Sequence, residues 1–205
     1  MAICSTILPR PSASPPRQES RRTALTDEQI AEVFGVVRDA ETGLLTFLLE
    51  TACRREGLLD LTPEKLHPAR QTVLLNEKGS RVREQPVSLV MMEYLQQPSC
   101  PIYSWTRRRL DCLWVRVRRD LPWASEIGLS THWFRHTTIT DVERVTRSPV
   151  LAAAFAGHRL SKFGATATYI APYGAPDVAW AFTRVFGGTH LLVAPGHAPL
   201  PEGPD

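Results

Sequence analysis

The stretch ETGLLTFLLETACR, residues 41–54, constrains the fold more than any other part of the sequence. Its length suits a helix, and its apolar residues occur on almost every side of such a helix. A helix of this kind is stable only when other elements cover it all round. The segment therefore predicts a helix at the centre of the core, and its end carries Arg54 and Arg55.

Helix signals recur along residues 25–188. Thr26 and Gln29 form a capping box ahead of apolar residues at helical spacing, which predicts a helix start. Thr62 followed by Pro63 predicts another start, because proline suits the first helical position. Further helices are predicted at 88–97, at 106–120, at 131–145, from Ser148 to Ala156, and across APDVAWAFTRVFGG, which ends in two glycines.

The segment QTVLLNEKGSRVREQPVS, residues 71–88, predicts a β-hairpin. An aliphatic run leads into the polar turn Asn-Glu-Lys-Gly-Ser, and an alternating pattern through Val82 and Val87 follows it. Lys78 is placed at the tip of this hairpin. The predicted fold class is therefore mainly α (α+β), a helical bundle with one small antiparallel sheet.

Length and composition bound the organisation of the chain. The 205 residues suffice for one domain with a core, and 24 basic against 21 acidic residues give a net charge of only +3. Residues 1–24, rich in Ser, Pro and Arg, predict a disordered tail, and residues 189–205, with four prolines, predict a flexible one. Four cysteines without a CxxC pair favour a cytoplasmic protein with reduced thiols. No apolar run reaches the roughly 18 residues of a membrane span, so no membrane partner is expected.

Basic residues cluster in one of the predicted helices. Six arginines lie within residues 107–119, with Trp105 and Trp114 interleaved: Arg107, Arg108, Arg109, Arg116, Arg118 and Arg119. Such a run suits a polyanion such as DNA. It equally suits a helix face that is merely solvated, and this segment alone leaves both interpretations open.

The stretch THWFRHTT, residues 131–138, holds His132, Arg135 and His136 among aromatic residues. Buried Arg and His side chains are costly unless a partner satisfies them. The stretch therefore predicts either a satisfied pair in the core or cations directed at an anion. His132 and His136, four residues apart, could also be zinc ligands of a hydrolase. That motif needs Glu at the position of Trp133, and no third ligand is evident.

Six residues of four types follow one another along the chain in a fixed order: Arg54, Lys78, His132 and Arg135 in His-x-x-Arg, His158 in AGH, and Tyr169 in TATYI. This order, with the predicted elements between them, resembles the catalytic domain of the tyrosine recombinase (phage integrase) family. The resemblance covers about residues 25–188. The segments HWFRHTT, TATYI and TRRRLDCLW are also similar to integrases of actinobacterial mobile elements.

The resemblance implies site-specific recombination of double-stranded DNA, in integration or excision, without a metal or another cofactor. Tyr169 would attack a phosphodiester and form a covalent 3′-phosphotyrosine. Lys78 would protonate the departing 5′-oxygen. Tyr173 is the nearby rival nucleophile, and TATYI fits the family motif better.

The remaining site residues would handle charge and protons. Arg54 and Arg135 would bind the phosphate oxygens. His132 and His158 would move the tyrosine proton or hold an oxygen, and His136 is expected in the core or directly behind the residues of the site. Contacts to the DNA backbone are expected from Arg55, Arg107, Arg108, Arg116 and Arg119.

The sequence departs from the family pattern in two ways. The interval between His158 and Tyr169 is longer than the common arrangement. Typical members also carry an N-terminal core-binding domain, and only the tail at 1–24 precedes the predicted domain here, so that domain is expected to be absent. An inactive DNA-binding remnant, acting alone or beside a full-length recombinase, is therefore the alternative function.

The C-terminal helix suggests how copies of the chain would assemble on DNA. Its apolar residues offer more surface than one shallow groove covers: Ala179, Trp180, Phe182, Val185 and Phe186. The resemblance implies that this helix packs on a neighbouring protomer in a homo-oligomer. Packing on its own chain is the alternative.

Overall fold

The computed structural model describes residues 23–77, 81–158 and 173–199. The helices in these ranges are α1 (Asp27–Val36), α2 (Asp39–Thr51), α3 (Arg55–Leu59), α4 (Leu89–Leu95), α5 (Arg107–Asp120), α6 (Pro122–Glu126), α7 (Thr131–Thr146), α8 (Pro149–Phe155) and α9 (Ala175–Phe186). The strands are β1 (Leu66–His67), β2 (Thr72–Glu77) and β3 (Arg81–Pro86).

Most predicted helix starts are present, and side chains cap them. The Thr26 hydroxyl accepts a hydrogen bond from the Gln29 backbone N–H at 3.2 Å, and Gln29 Oε1 accepts one from Thr26 N at 3.0 Å. Ser88, Thr106 and Ser148 cap α4, α5 and α8 in the same manner. These caps satisfy N–H groups that have no partner inside the helix.

The predicted helix after Thr62 is wrong. The chain makes only a 3₁₀ turn at Pro63–Lys65, and the Thr62 side chain forms no capping bond. The strand β1 follows at once and pairs with β2, so no residues remain to extend a helix. The sequence interpretation also missed the short helices α3 and α6.

The helix α2 is the central helix that its apolar sequence predicts. Leu44, Leu45 and Phe47 are fully buried in the main core. Glu50 is also buried, and its two carboxylate oxygens accept hydrogen bonds from Ser88 N at 2.9 Å and from Ser88 Oγ at 2.7 Å. The C-terminal residue of the helix is followed by Ala52 in the left-handed region, with φ 46°, which turns the chain toward α3.

The hairpin is confirmed, and β1 adds a third strand to it. The antiparallel order is β1–β2–β3, with Leu75 opposite Arg83 and Val73 opposite Gln85. The predicted alternation differs, because Val82 is 60% exposed. Directly opposed residues lie on the same face of a sheet, so Arg83 and Gln85 share the face of the buried Val73 and Leu75.

The helix α7 packs between α2, α8 and α9. Thr138 Oγ1 donates a hydrogen bond to Leu49 O of α2 at 2.8 Å. At the chain's first described residues, Leu25 N donates to Thr137 Oγ1 at 3.0 Å. These contacts fix the helix that carries the His-x-x-Arg motif against the central helix.

The helix α9 packs on its own chain. Val178, Ala181 and Phe182 are buried in a second apolar cluster with Leu151 and Phe155 of α8. The apolar surface of α9 that is available for docking is therefore smaller than expected. Ala179 and Phe182 are fully buried, whereas Phe186 remains 38% exposed. Exchange of the helix with another protomer stays a prediction.

Residues 189–199, predicted to be part of a flexible tail, contact the domain through three long-range interactions, and their flexibility stays a prediction. His190 is buried, and its Nε2 donates to Gln71 O at 2.9 Å. Leu191 N donates to Gln71 Oε1 at 3.3 Å. His197 Nε2 lies 3.1 Å from Asp177 Oδ1 of α9. Long-range bonds therefore hold this proline-containing segment on the domain.

Candidate active site

A cavity of about 250 Å³ opens between the end of α2 and the start of α7. Four of the predicted site residues line it: Arg54, Arg55, His132 and Arg135. Cys53, Glu56, Asp111, Trp114, Ser130 and Thr131 complete its wall. The fold thus brings together residues from two motifs that lie far apart in the sequence.

The first turn of α7 is fixed by a contact from α5. Trp114 Nε1 donates a hydrogen bond to Thr131 Oγ1 at 2.9 Å, and the Trp114 ring packs on Phe134 with centroids 5.4 Å apart. Two residues of this turn then take opposite environments. His132 is exposed at the cavity, while Arg135 is only 2% exposed.

The Arg135 guanidinium bonds to the ends of two helices and to a histidine. Its Nη1 donates to Ala52 O, and its Nη2 donates to Ala156 O at 2.6 Å. Ala52 and Ala156 are the residues at the C-terminal ends of α2 and α8, where carbonyls have no partner inside the helix. The same Nη2 lies 3.2 Å from His158 Nε2. Arginine only donates, so this ring nitrogen accepts the bond.

Positive charge accumulates around Arg135. Burial lowers the pKa of Arg135 to about 9, and repulsion from Arg83 and Arg54 adds to the shift. Burial likewise lowers the pKa of Arg83 to about 10, with Arg54 contributing in the same direction. Like charges this close disfavour the charged forms, and a bound anion would favour them. The arrangement therefore suits an anionic ligand.

Arg54 and His158 follow the two helix ends that Arg135 joins. Arg54 is the N-cap residue of α3 and is half-buried at the cavity. Burial lowers its pKa, and Glu56 opposes that shift. His158 follows Gly157, whose φ of 66° turns the chain out of α8, and His158 N donates to Ala153 O at 2.8 Å.

The surface arginines around the cavity form ion pairs with acidic neighbours. Arg55 Nη1 lies 3.5 Å from Asp111 Oδ1, and Arg55 Nε lies 3.5 Å from Glu56 Oε1. Arg107 Nη2 lies 3.7 Å from the same Glu56 oxygen. Exposed pairs of this kind are weak and are screened by salt.

The exposed face of α5 carries a groove of about 680 Å³ between arginines. Arg107, Arg108 and Arg119 are exposed along it. Arg116 differs from them, because its guanidinium pairs with the buried Glu41 of α2 and its side chain is 20% exposed. Its charge already joins two helices, so the other three are the better candidates for contacts to a polyanion.

Two predicted site residues, Lys78 and Tyr169, lie outside the described residues. The rival nucleophile Tyr173 is half-buried, and its Oη lies 3.5 Å from Ser148 Oγ at the start of α8. His136 is half-buried, with Nδ1 3.4 Å from Thr140 Oγ1.

Sequence reasoning missed Arg83, which is partly buried beside Arg135. Its Nη1 donates to Phe155 O and to Gln85 Oε1, and its Nη2 donates to Thr51 O at 3.2 Å. A signal was present in the hairpin sequence. Strand periodicity places Arg83 and Gln85 on the same face as the buried Val87, and a charged residue on an inward face points to a specific role.

Neither a metal cluster nor a membrane span occurs in the described ranges. Within 23–77, 81–158 and 173–199, no three His, Cys, Asp or Glu side chains lie together as a metal site would require. No helix in that part of the chain is long and apolar enough to cross a membrane.

Comparison with solved structures identifies the class of fold, which is shared with site-specific DNA recombinases. One is the integrase of transposon Tn1549, solved in complex with circular intermediate DNA. It aligns with a TM-score of 0.54 at 17% identity, over 81% of this chain and 66% of that chain. The other is the XerH site-specific recombinase bound to its difH substrate in a pre-cleavage complex. It aligns with a TM-score of 0.50 at 17% identity, over 72% of this chain and 50% of that chain.

These likenesses confirm the predicted fold class, a mainly helical domain with one small antiparallel sheet. The aligned part spans about two thirds of the Tn1549 integrase chain and half of the XerH chain. No family model matches the sequence, and no curated protein matches it.

Proposed function

We propose that this chain cleaves and rejoins double-stranded DNA as a tyrosine site-specific recombinase, in integration or excision. The observation that carries the proposal is the cavity where Arg54, His132 and Arg135 meet, with His158 bonded to Arg135. Guanidinium forks match phosphate geometry and stay charged at neutral pH. The two recombinases of similar fold were solved on DNA, which supports the same ligand here.

In the proposed reaction, the Tyr169 hydroxyl oxygen attacks a phosphorus atom of the DNA backbone. A bond forms between Tyr169 Oη and phosphorus, and the bond from phosphorus to the 5′-oxygen breaks, which leaves a covalent 3′-phosphotyrosine. The tyrosine proton passes to an imidazole, and Lys78 gives a proton to the departing 5′-oxygen. Attack by a 5′-hydroxyl on the phosphotyrosine reverses these bond changes and joins strands.

The environments of the cationic residues divide the work among them. Arg54 and Arg135 stabilise the charge that develops on the non-bridging phosphate oxygens, in place of a metal ion. His132, exposed at the cavity, receives the tyrosine proton. His158 orients Arg135, because its Nε2 accepts a bond from that guanidinium. The carbonyls of Ala52 and Ala156 hold the Arg135 fork in one plane before DNA binds.

The DNA backbone would lie across the exposed arginines beside the cavity. Arg55, Arg107, Arg108 and Arg119 supply this surface, and these contacts position the duplex more than they select its sequence. Copies of the chain would assemble on the DNA as a homo-oligomer through α9, or beside a full-length recombinase. The partly exposed Phe186 is the residue of α9 that this contact would cover.

The test is covalent trapping on nicked duplexes with randomised sequence around the nick. A nick next to the cleavage site lets a short fragment diffuse away, so the phosphotyrosine adduct accumulates and survives a denaturing gel. The wild-type chain and Tyr173→Phe should both form the adduct, in EDTA as well as without it. Tyr169→Phe should form none, while its DNA affinity stays within about twofold, since the substitution removes no charge.

The outcomes separate the two candidate functions. An adduct that persists in Tyr169→Phe and is lost in Tyr173→Phe would transfer the nucleophile to Tyr173. DNA binding without any adduct from the wild-type chain would favour the non-catalytic remnant.

A further inference from the structure

We propose that Arg83 is a positioning residue for DNA cleavage, which ties the hairpin to the two helix ends that carry Arg54 and His158. The proposal rests on the proposed function for its consequence in catalysis. Its structural basis is a set of hydrogen bonds that pairs Arg83 with Arg135.

The two guanidinium groups bond to consecutive carbonyls on the same two helices. At the end of α2, Arg83 bonds to Thr51 O and Arg135 bonds to Ala52 O. At the end of α8, Arg83 bonds to Phe155 O and Arg135 to Ala156 O. Two planar forks therefore bridge the same pair of helix ends side by side.

These helix ends are suited to cations. The last carbonyls of a helix have no intrahelical partner and carry the negative end of the helix dipole. The two ends would otherwise repel each other, since both present carbonyl oxygens to the same space. Hydrogen bonds from a charged donor to such groups are stronger than neutral ones. Arg83 and Arg135 thus offset this repulsion and fix the spacing of the two helix ends.

Two predicted site residues depend directly on this spacing. Arg54 lies two residues beyond Ala52, and His158 lies two residues beyond Ala156. A shift between the helix ends would therefore move Arg54 relative to His158. A misplacement of about 1 Å at a catalytic group costs on the order of 100-fold in rate.

Arg83 also connects this arrangement to the hairpin. It lies on β3 opposite Leu75, and Gln85 two residues along the same strand accepts one of its bonds. Lys78, the proposed acid, lies in the sequence between β2 and β3. The far face of β3 carries Glu84, which pairs with the exposed Arg70 at 2.6 Å and supplies a matched control on the same sheet.

The first test needs no DNA. Arg83→Lys keeps the charge but has one ammonium group, which cannot span carbonyls on two helices and the Gln85 amide at once. In spectra of chains with ¹⁵N-labelled histidine, the His158 imidazole signals should shift in Arg83→Lys, and those of His197 should not. Arg70→Lys should leave both unchanged. Unchanged His158 signals in a folded Arg83→Lys would overturn the proposal.

The second test separates positioning from general stability. Each variant is assayed well below its melting temperature, by the rate of adduct formation with saturating DNA and by DNA affinity. Arg83→Lys should lower the rate by about 10- to 100-fold and change the Kd by less than about threefold. Arg70→Lys should change neither by more than about twofold.

The failure of each proposal is distinguishable. If Arg83→Lys loses affinity and rate in equal proportion, or keeps the wild-type rate, Arg83 does not position the site. If the wild-type chain forms no adduct at all, the proposed function fails, and the His158 signals still decide whether Arg83 holds the helix ends.

Discussion

Arginine occupies two contrasting environments in this molecule. The guanidinium groups of Arg83 on β3 and Arg135 on α7 contact backbone carbonyls at the ends of α2 and α8, and burial lowers the pKa of each. Arg107, Arg108 and Arg119 lie on the exposed face of α5, and Arg119 pairs with Asp120 at 2.8 Å. The buried pair depends on the planar, multidentate form of the side chain. The surface group needs only its charge.

The largest expected effect is a loss of cleavage rate when lysine replaces an arginine at the helix ends, and the same replacement on α5 is the comparison. Arg135→Lys keeps the charge and removes the fork, so the rate of adduct formation should fall by at least about 100-fold, as for loss of a preorganised donor. Arg107→Lys should change the rate and the DNA affinity by less than about threefold, because it keeps the charge. Both rates are measured with saturating nicked DNA. Equal rates for the two variants would contradict the difference between the two environments.

The second largest effect is expected from a rise in pH, which should lower the cleavage rate by removing the charge of Arg135. Because Arg135 has a pKa of about 9, its charge is lost above that pH. The rate at sub-saturating DNA, which reports the free protein, should then fall by about tenfold per pH unit. Arg83→Gln should move this fall to higher pH, because it removes a repelling charge, and Arg107→Gln should not move it. A fall at the same pH in both variants would contradict the coupling.

Loss of the Arg135 proton should lower the rate of adduct formation, as above, but it should raise the free energy of unfolding. The pKa of Arg135 is lowered to about 9 in the folded chain, so above that pH the unfolded chain, in which the pKa is higher, binds more protons. The contribution of this group to stability therefore rises with pH in that range. Below about pH 9 both states are protonated, and the contribution is constant.

A moderate effect is expected on the salt dependence of DNA affinity, which should depend on the surface arginines and not on Arg83. DNA affinity should fall steeply with salt, because the surface arginines release counterions from the phosphates. Replacing Arg107, Arg108 and Arg119 together by Gln should reduce the slope of log affinity against log salt by about 0.9 for each phosphate that the variant no longer neutralises. Arg83→Gln should keep the wild-type slope. Fluorescence anisotropy over a salt series would measure both, and an unchanged slope in the triple variant would assign α5 to a solvated face.

The smallest expected effect concerns the acidic neighbours of the surface arginines. Glu56→Gln with Asp111→Asn would release Arg55 and Arg107 from their ion pairs. DNA affinity should rise by about two- to fivefold at low salt and return to the wild-type value at high salt, because the charges are exposed and screened. Glu93→Gln on α4, an exposed residue away from these pairs, is the control. A gain that persists at high salt would require a contact other than charge.

Features that depend on neighbouring residues could be predicted from the sequence. The Thr26 capping box, the apolar helix α2 and the hairpin are confirmed, because caps, periodicity and turns act over a few residues. The order of site residues came from a resemblance, and the fold brings Arg54, His132 and Arg135 to one cavity.

Features that depend on distant contacts could not be predicted in this way. Arg83 bonds to residues 32 and 72 positions away, so the strand pattern alone does not give its partners. The segment at 189–199 contains prolines typical of a loose tail, yet a contact between His190 and Gln71 across 119 positions holds it. In the strand β3, Val82 faces outward and Arg83 faces inward, so the apolar residue and the charged residue exchange the faces that hydrophobic alternation predicts.

The anchored segment at 189–199 has a consequence for how the molecule opens. His190 Nε2 donates to Gln71 O, and His190 Nδ1 accepts from Leu192 N at 3.2 Å, so a neutral ring satisfies both bonds. Burial lowers the pKa of His190 from 6.5, with the Gln71 bond and Glu84 opposing the shift. The ring's contribution to stability is therefore complete above about pH 6.5 and declines as the pH falls below it. Protonation in mild acid places a proton on Nδ1 and removes the bond from Leu192 N, while Nε2 still donates to Gln71 O, so acid weakens the turn at residues 190–192 before it weakens the anchor.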